Sequence, residues 1–110
     1  GVRRRPRRET KGGIEMIVNR RTFIAKKGHM DEAIAMMKRI WAEMDPQRRV
    51  RFYRSSLGPF DTIVWEAEYD SLTEYDKAMA AVDPRWMAEN LPKWHAVTEA
   101  GGANEIWDVV

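Results

Sequence analysis

Cysteine is absent from this 110-residue chain. Disulfides and thiolate zinc sites are therefore excluded, and a reducing, cytoplasmic setting is the expectation. No apolar run approaches the roughly 20 residues of a membrane-spanning helix. The charged N-terminus is not followed by the hydrophobic stretch of a secretory signal. Histidine occurs only at His29 and His95, without the spacing of a zinc-binding pair. Glycine-rich phosphate loops, nucleophilic Ser or Cys arrangements and EF-hand patterns are missing as well. Metal, ATP, NAD and flavin sites are not expected, and no cofactor is assigned.

What is present is apolar bulk. The chain is 44% hydrophobic and 33% charged, and it holds five Trp and seven Met. Side chains of that size imply a generous core or a buried subunit interface. The length suits one domain. The net charge of +2 is unevenly spread. Arg3, Arg4, Arg5, Arg7, Arg8 and Lys11 stand against Glu9, so residues 1–13 carry +5 and the other 97 carry −3. A mildly acidic body argues against a nucleic-acid-binding domain.

Residues 1–15 lack periodicity and contain Pro6, Gly12 and Gly13, so they read as a disordered basic tail. Lys11-Gly12-Gly13 can be encoded by a purine tract resembling a ribosome-binding site, and Met16 follows shortly after. The expectation is a translated leader before residue 16, with residues 16–110 as the folded domain.

Residues 16–26 alternate as a strand, with Ile17, Asn19, Arg21, Phe23 and Ala25 on one side. A helix over 30–44 follows, its stripe formed by Met30, Ala33, Ile34, Met37, Ile40, Trp41 and Met44. Residues 48–56 and 61–69 read as two strands around the turn Leu57-Gly58-Pro59-Phe60. Ser71 and Glu74 have the spacing of a capping box, which starts a helix with the stripe Leu72, Tyr75, Met79 and Val82. Asp83-Pro84 breaks that helix and opens another, with Trp86, Met87, Leu91 and Trp94 as its apolar residues and Pro92 limiting its regularity. Gly101-Gly102 reads as a flexible joint before a last strand over 103–110. The order β-α-β-β-α-β predicts an α+β, ferredoxin-like sandwich: a four-stranded antiparallel sheet with helices on one face. The bare sheet face then calls for a partner, and a second copy is the expected one.

Three stretches resemble the NIPSNAP-like family of the dimeric α/β-barrel superfamily. Arg21-Thr22-Phe23 running to Gly28 is similar to the family's Arg-Thr-aromatic strand. Leu57-Gly58-Pro59-Phe60-Asp61, with Val64-Trp65 and Tyr69-Asp70-Ser71-Leu72, is similar to its hairpin, strand and helix start. Asp83-Pro84-Arg85-Trp86 is similar to its Asp-Pro-x-Trp. The chain departs from the pattern at Lys27, at the acidic Glu66 and Glu68, and at Tyr75. The resemblance implies two sheets facing each other across a homodimer, and a cleft in each subunit between sheet and helices.

Arg21, Asn19, His95 and Tyr53 are the candidate catalytic residues. Arg21 suits an anion or carbonyl clamp, or else a structural ion pair with Glu66 or Glu68. Asn19 suits polarising a carbonyl, and Tyr53 donating to an oxyanion. His95 suits general acid–base work near neutral pH. Trp41, Trp65, Trp86, Trp94 and Tyr69 are the candidate pocket lining. The expected function is binding of a small, flat, partly aromatic molecule in the cleft, with cofactor-free oxygenation, cyclisation or isomerisation as the reaction class. The alternatives are a non-catalytic assembly protein and a haem-binding or haem-degrading protein using His95.

Overall fold

A computed structural model of the chain describes residues 16–110, in the order β1 (Ile17–Ala25), α1 (Met30–Met44), β2 (Val50–Arg54), β3 (Thr62–Tyr69), α2 (Leu72–Ala80), α3 (Pro84–His95) and β4 (Thr98–Asp108). The basic tail and the leader proposed for it lie outside the described residues. The four strands form one antiparallel sheet ordered β2-β3-β1-β4. This is the expected α+β, ferredoxin-like arrangement, with the second helical segment divided into α2 and α3. No helix among the described residues is long and apolar enough to cross a membrane.

The sequence places these elements by local chemistry. Gly28 takes φ +82°, a left-handed turn that releases the chain from β1 into α1. Asp31 and Glu32 stand at the positive end of the α1 dipole. Asp45-Pro46 ends the helix. The Ser71 Oγ accepts a hydrogen bond from the Glu74 backbone N–H at 3.1 Å and caps α2. Asp83 caps α3 through the Arg85 N–H at 3.0 Å, with Pro84 in the first turn.

One face of the sheet carries the core. Ile17, Ala25, Ile63, Trp65, Ala67 and Tyr69 pack against Ala33, Met37, Ile40 and Trp41 of α1 and against Trp94 and Val97. The spacing of the α1 residues puts them on one helical stripe, as expected. The α2 stripe is less regular, because Leu72 in its first turn is exposed. α3 continues through Pro92 as an unbroken helix. The proline costs one backbone hydrogen bond, to the Ala88 carbonyl, without ending the element.

The last strand begins earlier than its composition suggests. Gly101 and Gly102 are not a joint but lie inside β4, at φ +111° and +99°. The β1–β4 register moves from Thr22↔Ala103 to Ile24↔Glu99, so residues 100–102 bulge opposite Phe23. The bulge requires glycine: a Cβ on Gly102 would run into the Thr22 carbonyl oxygen.

The opposite sheet face carries Val18, Arg20 and Thr22 of β1, Val64 and Glu66 of β3, and Arg51 and Tyr53 of β2. Arg51, Glu66, Arg20 and Glu105 occupy one register row across all four strands. Their charges alternate, and Arg20 Nη1 pairs with Glu66 Oε2 at 3.1 Å.

Candidate functional site

β1 supplies the polar centre of the site, because its alternation turns Asn19, Arg21 and Phe23 toward the helices. Asn19 is buried at 1% exposure. Its Nδ2 donates to Asn104 Oδ1 at 2.7 Å and to the Glu105 carbonyl at 2.9 Å. Arg21 Nε donates to Asn19 Oδ1 at 3.2 Å and Asn104 Oδ1 at 3.1 Å. Its Nη2 reaches the Tyr75 hydroxyl at 3.3 Å and Met79 Sδ at 3.7 Å.

The Arg21 guanidinium has no carboxylate partner among the described residues. The expected ion pair with Glu66 or Glu68 does not form, and strand parity is the reason. Trp65 stands opposite Arg21, whereas Glu66 and Glu68 stand opposite Arg20 and Val18 and so point to the other face. Among the described residues the guanidinium is held in place by neutral acceptors.

A cavity of about 560 Å³ opens beside this cluster, between the sheet and the helices. Asn19, Arg21, Trp41, Trp65, Trp86, Trp94 and His95 all line it. Four aromatic rings form one stack of contacts at its wall. Phe23 lies 4.7 Å from Trp65 and 5.0 Å from Trp94, and Trp41 meets Trp65 edge-on at 5.4 Å. The Trp86 indole donates to Glu43 Oε1 at 3.1 Å, which ties α3 to α1 across the cavity rim. Trp41 and Trp65 are buried, yet the Nε1–H of each lacks an acceptor among the described residues. His95 lies exposed at the end of α3, and Glu99 and Ala100 of the β4 stretch beside it also line the cavity.

Two predicted site residues lie elsewhere. Tyr53 is on the opposite sheet face, where its hydroxyl donates to Glu66 Oε1 at 2.9 Å. Its position in β2 has the parity of Arg51, not of the cleft-facing Phe52. Tyr69 is on the helix side but lines a separate, smaller depression of about 230 Å³, shared with Trp41 and Arg48. Its ring packs under the Arg48 guanidinium at 4.2 Å and edge-on to Tyr75 at 5.2 Å. Burial pushes the Tyr69 phenol above its ordinary pKa of 10.0, with Arg48 opposing.

Other residues entered the site without a clear sequence signal. Asn104 and Tyr75 position Arg21 from distant elements. Asn90 is buried on the cavity wall. Its place four residues from both Trp86 and Trp94 is the signal that put it on the cleft face of α3.

Solved structures with the same architecture place this cleft in context. A NIPSNAP family protein from Agrobacterium tumefaciens superposes with a TM-score of 0.71 at 22% identity, over 89% of each chain. Its counterpart from Burkholderia xenovorans, an uncharacterised NIPSNAP-like domain protein, gives 0.74 at 16% identity, over 89% of this chain and 88% of that one. The fold is that of the NIPSNAP proteins. SnoaB, a cofactor-independent oxygenase from Streptomyces nogalater, shares it at a TM-score of 0.67 and 14% identity, over 87% of this chain and 94% of its own. No family model and no curated protein sequence matches the chain.

Proposed function

We propose that this NIPSNAP-like chain binds a small, flat, partly aromatic molecule in the cleft between sheet and helices. One observation carries the reading: an aromatic-walled cavity of about 560 Å³ meets a fixed guanidinium that has no carboxylate partner among the described residues. A cavity in the range of small-molecule sites, mostly apolar with a few convergent polar groups, is what such a ligand requires. A protein serving assembly alone has no need of it, and a filled core with Arg21 salt-bridged would have suited that role.

The cleft suits cofactor-free chemistry on an enolisable or phenolic substrate. Such a substrate supplies its own electrons, so the protein orients it and stabilises the developing anion. Arg21 takes the anion, Asn19 fixes Arg21, and His95 stands at the mouth for proton transfer. Tyr53 has no part in this, because it faces the other side of the sheet. The cysteine-free sequence fits a reducing compartment.

The opposite sheet face is the surface on which a second copy docks. The Arg51–Glu66–Arg20–Glu105 row supports this reading. A two-fold axis between the sheets and parallel to the strands reverses the row, so every Arg meets a Glu. Native mass spectrometry of the protein purified from its own cells tests both parts. A dimer carrying a small-molecule adduct is the expected result. A monomer without adduct, which also gains no mass from a panel of aromatic acids and phenols, would sink the proposal.

A further inference from the structure

We propose that the cleft selects a singly charged aromatic carboxylate. This inference rests on the cleft being a ligand site. It adds the charge of the ligand.

The charge follows from Arg21. Two of its three nitrogens are already engaged: Nε by the Asn19 and Asn104 carbonyl oxygens, Nη2 by Tyr75 and Met79. Nη1 has no partner among the described residues, and its N–H groups are the donors left for a ligand. The acceptors around Arg21 are all neutral, so they fix its geometry without cancelling its charge. An anion bound there forms a charge-assisted hydrogen bond in a partly dry site, where such bonds are strong. A neutral ligand would leave the cation uncompensated.

The number of charges follows from the rest of the lining. Among the described lining residues lysine is missing, and Arg21 is the one permanent cation. A second negative group on the ligand would find no second permanent cation among them. The site therefore favours a monoanion over a dicarboxylate or a phosphate dianion.

The ring follows from the aromatic wall. Phe23, Trp65 and Trp94 offer apolar faces next to Arg21. Trp41 and Trp65 line the cavity through their rings, while their indole N–H groups are buried away from it. A flat aromatic ligand therefore meets ring faces, and its polar recognition falls to Arg21.

The test compares three probes by calorimetric titration of the intact chain: a hydroxynaphthoate, its uncharged carboxamide, and a naphthalenedicarboxylate. The hydroxynaphthoate is expected to bind at least about tenfold tighter than either of the others. In Arg21→Met the preference over the carboxamide should collapse to near unity while carboxamide binding persists. Arg21→Lys should retain part of it. Equal or tighter binding of the carboxamide to the unaltered protein would overturn the charge assignment and leave the cleft reading standing. Tighter binding of the dicarboxylate would overturn the monoanion assignment. Failure of all three probes would count against the cleft reading itself. The decisive ratios come from the unaltered protein, so they do not depend on either variant folding.

Discussion

Tyr69 is buried at 1% exposure with its hydroxyl unpartnered, and burial raises its pKa above 10.0. In the unfolded chain the phenol ionises near its ordinary value, whereas the folded protein holds the proton longer. The unfolded state then binds fewer protons, so stability falls as pH rises from about 10 toward the folded-state pKa. Below pH 10 this contribution is complete. Tyr69→Phe should flatten that alkaline fall, and at neutral pH it should be neutral or stabilising by up to ~1 kcal/mol, since no hydrogen bond is lost. Urea denaturation of both proteins at neutral and alkaline pH checks the two statements; an identical alkaline slope would refute the first. Tyr69 also marks a limit of sequence reading at this scale. Alternation along β3 gives Tyr69 the parity of Trp65, but nothing in it separates Tyr69 from the cavity that Trp65 lines. Arg21 was likewise legible as a cleft residue. The ion pair with Glu66 or Glu68 that the sequence allowed is excluded by the register of β1 and β3, and the Arg21 partners Asn104 and Tyr75 likewise depend on register and helix docking.

At the scale of elements, Gly28 before α1 and Gly102 within β4 separate two effects of substitution. Gly28 has φ +82° but nothing within 4 Å of an added Cβ, so Gly28→Ala should cost ~1 kcal/mol from backbone strain alone. Gly102→Ala adds a collision with the Thr22 carbonyl and should cost roughly 2–4 kcal/mol. Because the bulge sets where residues 99–101 meet the cavity, Gly102→Ala should also weaken ligand binding, and Gly28→Ala should not. Chemical denaturation with parallel titration reads both; equal costs at the two glycines would contradict the bulge assignment. α1 was readable to the residue because one stripe, one glycine and one Asp-Pro bound it. β4 was not, since Gly-Gly in an otherwise polar stretch signals a turn as readily as a bulge. Only the pairing with β1 distinguishes them.

For the whole molecule, the charge row on the outer sheet face makes the proposed dimer and its axis testable. An axis parallel to the strands sets Arg51 over the partner's Glu105 and Glu66 over the partner's Arg20. Arg51→Glu alone, or Glu105→Arg alone, places like charges across the interface and should shift the protein toward monomer. Combining the two changes should restore the dimer in analytical ultracentrifugation at low salt. A double variant as monomeric as the single ones would reject this axis. The sandwich itself was legible from element order, because β-α-β-β-α-β leaves few ways to bury two helical segments on one sheet. The account rests most heavily on the cleft as a ligand site, and the five indoles report on it directly. Four line the cavity, while Trp107 lies on the outer sheet face beside Glu105. The measurement is the indole N–H region of a proton–nitrogen NMR spectrum during titration with the hydroxynaphthoate. The Trp65 and Trp94 signals should move as an aromatic ring enters beside theirs, with Trp107 unchanged. Movement confined to Trp107, or none at all at saturating ligand, would contradict the account.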